Sequence, residues 1–156
     1  MRKSRLDSSS EKPKPTAAWL NLDKVAAVAV TSEDPQCPIE SALTPGESSG
    51  WRAGSGGEQT IRLIFDLPQR IQRIWLRFVE TQAERTQEFS LQWRPDKNGA
   101  SREIVRQQWN FSPQGTTTEI EDYQVNLDKV GILELKINPD ISRGDSVASL
   151  AEWRVA

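Results

Sequence analysis

The chain has 156 residues and a mass of 17.6 kDa, which predicts one domain large enough to bury a core. It contains no histidine and a single cysteine, Cys37, which excludes histidine-dependent catalysis, histidine-bound metals, intramolecular disulfides and two-cysteine zinc sites. The net charge is −2 and the mean hydropathy −0.62. The longest uncharged apolar run, Val25 to Val30, is far too short to span a bilayer, so we expect no membrane insertion.

The composition of residues 1–18 predicts that they form a disordered basic leader. They carry five basic and two acidic residues among serines and prolines, without the apolar run of a signal peptide. Residues 19–156, expected to form one domain, are left with a net charge of −5, which disfavours nucleic-acid binding because phosphate neutralisation dominates that affinity. The single free thiol and the missing signal predict a cytoplasmic protein. A piece of a longer secreted protein is the alternative.

From Trp19 onward the pattern is that of a β-protein. Turn signals rich in glycine and proline separate short segments of alternating or β-prone residues, and long amphipathic helices are absent. A helical turn over Asp122 to Val130 is an alternative to part of one strand. Many short strands at this spacing predict an all-β antiparallel sandwich, or jelly roll. The predicted strands are Val25–Val30, Ile61–Phe65, Ile71–Val79, Phe89–Trp93, Arg102–Trp109, Ile120–Leu127, Leu133–Ile137 and Val147–Val155.

The third of these strands has two distinct faces. One is apolar, and the other carries Arg73, Trp75 and Arg77, so we expect Trp75 to be partly exposed. Trp93 and Trp153 also lie in strand patterns and are expected in the core. The outward stripe of arginines and tryptophan supports an alternative function, in which an exposed sheet face binds another protein.

Aromatic and planar polar residues point to a carbohydrate ligand. Six tryptophans are many for this length, and an indole packs on the apolar face of a pyranose whose hydroxyls need planar hydrogen-bonding partners. Trp51, in a predicted loop beside Arg52, is the best candidate for ligand contact, although a loop anchor is an equally good interpretation. The loop after the third strand supplies Glu80, Gln82 and Arg85, which complete the predicted ligand-binding set.

Patterns typical of enzymes are weak. No two carboxylates stand out by spacing as a glycosidase pair, there is no Gly-x-Ser-x-Gly elbow, and Gly54 to Gly57 lacks the Lys-Ser/Thr of a phosphate loop. We therefore expect no enzyme, with a hydrolase as a third interpretation. Glu33 to Gly50 and Asp140 to Asp145 carry oxygens suited to a structural calcium ion, but without EF-hand spacing, and no other metal or cofactor is expected.

Seven segments follow one another in a recognisable order: Val30–Glu33, Gly50–Ala53, Ile61–Leu67, Ile71–Leu76, Phe89–Trp93, Leu135–Pro139 and Ala148–Trp153. In this order they resemble the discoidin, or coagulation factor V/VIII type C, domain of the galactose-binding-like jelly-roll superfamily. Pro68 stands where that family has the glycine of Asp-Leu-Gly. The aspartate of its Ala-x-Asp-Gly segment and its terminal disulfide are missing, which puts a calcium loop in doubt and favours an intracellular or bacterial relative.

The resemblance implies a non-catalytic binding domain whose ligand site is formed by loops at one end of the sandwich. The matching loops here are 33–41, 50–58 and 79–88, and they contain the five predicted ligand-binding residues. Members that bind membranes expose apolar residues on these loops. Because the loops here are polar apart from Trp51, the resemblance favours carbohydrate or a glycoconjugate over phospholipid.

Overall fold

The computed structural model describes residues 19–46, 49–142 and 144–156, so the predicted basic leader lies outside the described residues. Strands dominate, and neither helix of the described part is long and apolar enough to cross a membrane. The helices are α1 (Leu22–Val25) and α2 (Glu40–Leu43). The strands are β1 (Ala26–Val30), β2 (Trp51–Gly56), β3 (Gln59–Val79), β4 (Arg85–Arg94), β5 (Arg102–Phe111), β6 (Thr118–Asn138), β7 (Val147–Leu150) and β8 (Glu152–Val155).

The strands form two antiparallel layers. One layer has the order β1, first half of β3, second half of β6, β4 and β5. In the other, the second half of β3 lies between β8 and the first half of β6. A two-stranded ribbon of β2 and β7 completes the fold. The all-β antiparallel sandwich predicted from the alternating segments is confirmed.

The two longest strands, β3 and β6, each have 21 residues and belong to both layers. Their pairing loses register between Ile64 and Arg73, and such bulges bend and twist a strand, which carries both strands from one layer into the other. Pro68 lies in this irregular stretch, where its missing N–H removes no ladder bond. The alternative of a helical turn over Asp122 to Val130 is wrong, because this segment continues β6.

Apolar side chains from both layers form one core. Trp153 is fully buried, as predicted, whereas Trp93 is only half-buried at the edge of the core, with the Arg102 guanidinium 5.8 Å from its ring centre. Among the largest fully buried side chains are Phe78, Phe89, Phe111, Ile61, Leu63, Ile71, Ile74, Leu76, Leu91 and Leu133.

Hydrogen bonds define the two ends of the sandwich. At one end, which we call the rim, the loop segments 57–58, 80–84, 112–117, 139–142 and 144–146 meet. Glu80 N–H donates to Thr117 O at 2.9 Å, and Gly57 N–H donates to Ser146 O at 3.4 Å. At the other end the C-terminal Ala156 pairs with Arg73 on β3. Several loops distant in sequence are therefore brought to one surface.

Candidate functional site

The rim loop 80–84 is organised by the Glu80 carboxylate. One of its oxygens accepts hydrogen bonds from the backbone N–H groups of Gln82, at 2.8 Å, and Ala83, at 3.1 Å. The other accepts from Nε of Arg85 at 2.8 Å. Burial alone would raise the pKa of Glu80, but these hydrogen bonds outweigh it and hold the pKa below the ordinary value. Both oxygens of Glu80 are therefore used in hydrogen bonds that hold the loop in its conformation.

Arg85 begins β4 and its guanidinium is held from several sides. Besides Glu80, it donates from Nη1 to the Pro139 carbonyl at 2.9 Å and to Oε1 of Gln87 at 3.2 Å. The guanidinium carbon lies 4.9 Å from the centre of the Phe111 ring, a cation–π contact. Its remaining nitrogen, Nη2, is buried and has no hydrogen-bond partner among the described residues. A fixed, unsatisfied cationic donor is a natural position for a ligand oxygen.

A cleft of about 440 Å³ opens on the rim next to this guanidinium. Its size is that of a pocket for a small molecule. Apart from Glu84 and Arg85, the polar side chains among the described lining residues are neutral: three hydroxyls and one amide. The lining residues are Glu84, Arg85, Thr86, Asn110, Phe111, Ser112 and Ser142. We call this the rim cleft.

Asn110 and Thr86 face each other across the β4–β5 pair. The Thr86 hydroxyl donates to Oδ1 of Asn110 at 2.7 Å, which orients the amide and leaves its nitrogen as a donor. Phe111 is fully buried, so the cleft offers hydrogen-bonding groups and presents no exposed ring on which a sugar could stack.

A buried acid lies behind Arg85. Glu119, on β6, is completely buried and accepts a hydrogen bond from Nε2 of Gln87 at 3.1 Å. Burial, with the Glu121 carboxylate close by, raises the pKa of Glu119 to about 9, so the group is neutral at pH 7. Tyr123 donates a hydrogen bond from its hydroxyl to Glu121 at 2.9 Å. Burial is the main cause that raises the pKa of Tyr123, and the hydrogen bond to the Glu121 carboxylate is the second.

The structure corrects the role predicted for Trp51. This residue begins strand β2 and is only 1% exposed, and its indole N–H donates to the Ser32 carbonyl at 3.1 Å. An indole enclosed in the core has no free face for a pyranose, so the interpretation as an anchor is the correct one. Arg52, the next residue in the strand, points outward and is exposed.

The five predicted ligand-binding residues do not share one pocket. Glu80 and Arg85 form an ion pair, with Gln82 exposed on the same loop. Trp51 and Arg52 line a different cleft, bordered by the β2–β7 ribbon. The loop 80–84 lies at one end of the sandwich, and its role in ligand binding stays a prediction. Arg85, expected in this loop, instead begins β4, and its side chain is 1% exposed.

The stripe proposed as a protein-binding face is also corrected. Trp75 is 6% exposed and hence buried. Arg73 makes a two-pronged ion pair with Asp122, and Arg77 bonds to Glu152 at 2.9 Å. Cross-strand ion pairs therefore occupy the arginines that flank this buried indole, and the stripe is not an exposed aromatic patch.

Several residues of the rim cleft were not predicted as ligand contacts. Asn110 and Ser112 belong to a glycosylation-like Asn-Phe-Ser triplet, and Ser142 lies in the segment Asp140 to Asp145 that was considered for calcium. Asn110 lies near the end of β5, Ser112 in the β5–β6 connection and Ser142 in the β6–β7 connection, so only the fold brings them to the same cleft as Arg85.

The segments considered for calcium use their carboxylates locally. Asp140 accepts from the backbone and the hydroxyl of Ser142, which lowers the pKa of Asp140. Glu33 accepts from Ile39 N–H, and Asp34 from Gln36 N–H. In the part of the chain that the structure describes, no group of three or more cysteine or acidic side chains is arranged to hold a metal ion.

Comparison with known proteins shows which solved structures share this architecture. No protein-family model matches the sequence, and no curated protein matches it. Solved structures do match. A CBM32 module of Clostridium perfringens in complex with GalNAc-β-1,3-galactose has a TM-score of 0.65 and 18% identity, covering 88% of this chain and 99% of its own.

Two further structures have the same architecture. The family 32 CBM of C. perfringens NanJ, in complex with galactose, gives a TM-score of 0.60 at 16% identity, over 88% of this chain and 96% of that one. Chitosan-binding module 1, from a chitosanase/glucanase of Paenibacillus sp. IK-5, gives a TM-score of 0.63 at 15% identity. The match covers 88% of this chain and 98% of that one. The chain therefore has the galactose-binding-like jelly-roll fold of these carbohydrate-binding modules, as its motif order indicated.

Proposed function

We propose that this domain binds carbohydrate without transforming it, and that the sugar occupies the rim cleft. One observation carries the proposal. Arg85 lines the cleft, and its guanidinium is fixed by Glu80, Gln87 and the Pro139 carbonyl, yet its buried Nη2 lacks a partner among the described residues. A sugar hydroxyl or ring oxygen accepts from such a nitrogen, and the binding then satisfies a donor that is otherwise desolvated and unpaired.

The other groups of the cleft suit the same ligand class. A pyranose presents hydroxyls that both donate and accept, and the wall supplies the hydroxyls of Thr86, Ser112 and Ser142 together with the Asn110 amide. The structures to which this chain is similar include modules in complex with galactose and with GalNAc-β-1,3-galactose. Both lines of support concern binding, and neither requires a reactive group.

The enclosed Trp51 changes the expected mode of recognition. Without an exposed aromatic ring at the rim cleft, affinity comes from hydrogen bonds that replace bonds to water, and each such exchange contributes only about 0.5–1.5 kcal/mol. We therefore expect weak binding, in the millimolar to high micromolar range, and selectivity for the arrangement of hydroxyls.

The test combines a glycan array with NMR titration of the best ligand. Asn110→Ala removes an exposed amide of the cleft while leaving the Arg85 cluster intact, and should weaken binding about tenfold. Asn126→Ala is the matched control, because Asn126 is an exposed amide on the first half of β6, well away from the rim, where it bonds to Arg70. Equal affinities of the two variants would exclude the rim cleft, and the absence of any saccharide ligand would refute the function.

A further inference from the structure

A second cleft, separate from the rim cleft, lies where the β2–β7 ribbon meets the end of β3. Its volume is about 330 Å³. Its polar described lining residues are Arg52, Arg77, Ser49, Ser149 and Cys37, and the other described lining residues are apolar. None of the described lining residues carries a negative charge. We call this the lateral cleft, and its wall is cationic in a domain that is acidic as a whole.

The positive charge behind the wall is only partly compensated. Glu152 bonds to Arg77 at 2.9 Å and also to Arg154 at 2.8 Å, so two guanidinium groups share this carboxylate. Glu152 and Arg154 are both buried. Burial first, and then the neighbouring Arg77, lower the pKa of Arg154, as expected when one cation lies close to another.

Arg52 adds a second positive group to the lining of the lateral cleft. It projects from β2, is exposed, and makes no ion pair with any residue that the structure describes. The strand partner of Arg52 is Ser149, whose hydroxyl lines the same cleft. A planar guanidinium and a neighbouring hydroxyl are groups that bind tetrahedral oxyanions through several hydrogen bonds at once.

We propose that the lateral cleft binds a sulfate or phosphate group, with Arg52 as its principal contact and Arg77 and Ser149 completing the site. The geometry points to an oxyanion because two arginines border the cleft and no described carboxylate does. This site is independent of carbohydrate binding at the rim cleft, since the two clefts have no lining residue in common.

Titration of the ¹⁵N-labelled full chain with inorganic sulfate and with inorganic phosphate tests the site. We expect saturable shifts of the Arg52 and Ser149 amides at millimolar anion, and Arg52→Gln should weaken the affinity about tenfold. Arg62→Gln is the control, because Arg62 is an arginine that does not line this cleft. Arg62 shares the Glu134 carboxylate with Arg94, just as Arg77 shares Glu152 with Arg154. Arg52→Lys retains the charge without the planar fork, and should bind with intermediate affinity.

Each outcome decides the matter. Shifts that are absent, or equally strong in Arg52→Gln and Arg62→Gln, would overturn the site. Saturable shifts lost only in Arg52→Gln would support it. A galactose sulfate and a galactose phosphate, compared in the same assay, then distinguish a sulfated from a phosphorylated source. The Asn110→Ala variant must retain the anion response, so failure at the rim cleft is separable from failure here.

Discussion

Replacing Glu119 by glutamine should stabilise the domain at neutral pH. Glu119 is completely buried between the layers, and its Oε1 accepts a hydrogen bond from Gln87. Burial and the nearby Glu121 raise the pKa of Glu119 from 4.5 to about 9, so the folded protein keeps a proton that the unfolded chain releases. Glutamine has the same shape, retains an oxygen for Gln87 and is neutral at every pH.

The size of the effect follows from the two pKa values. Each pH unit between 4.5 and 9 lowers the stability of the native protein by about 1.4 kcal/mol through this group, because the unfolded state binds fewer protons there. At pH 7 the accumulated loss is about 3 kcal/mol, an upper bound on the gain from Glu119→Gln. The stability that the protonated Glu119 side chain contributes is fully present below pH 4.5 and is lost as the pH rises through 9.

Urea denaturation at pH 4.5, 7 and 8.5 measures the difference in unfolding free energy between the variant and the native protein. The difference should be near zero at pH 4.5 and grow at each step. Glu58→Gln, which removes an exposed carboxylate at the rim, should change stability at pH 7 by no more than about 0.5 kcal/mol. A Glu119→Gln difference that is independent of pH would refute the buried neutral carboxyl.

Three further substitutions test the packing of particular side chains by the same denaturation assay. Trp51→Ala should lower the free energy of unfolding by about 3–5 kcal/mol, because it leaves a cavity in the core. A decrease below about 1 kcal/mol would contradict the burial of Trp51. Gly131→Ala should cost about 1–3 kcal/mol, because a Cβ there would overlap the Pro95 carbonyl, and unchanged stability would disprove that close approach. Arg85→Gln should cost about 3–5 kcal/mol by leaving the Glu80 carboxylate unpaired, and near-native stability would show that the ion pair contributes little.

The strands were predictable because their signal is local. In the segment 73–78 the apolar residues Ile74, Leu76 and Phe78 recur at every second position, and only an extended backbone places them on one face. The same alternation does not reveal that two predicted segments are one strand. Ile61–Phe65 and Ile71–Val79 both belong to β3, which bends between layers at bulges whose position depends on the partner strand β6.

Burial of particular tryptophans was much less predictable. Gly50-Trp51-Arg52-Ala53 contains the turn residue glycine and a charge, so a loop was a reasonable prediction. Pairing of β2 with β7 makes the segment a strand, and the Ser32 carbonyl that accepts from the Trp51 indole is 19 residues away in sequence. Likewise the arginines on either side of Trp75 find their acids on β6 and β8.

The sequence by itself determined the all-β class and the order of the segments, since the alternation of apolar and polar side chains is a property of neighbouring residues. Only the tertiary structure decided which side chains meet. It enclosed Trp51, brought Arg85, Asn110 and Ser142 together in the rim cleft, and brought Arg52 and Arg77 together in the lateral cleft. A binding site depends on distances between strands, and those distances are fixed by packing of the whole core.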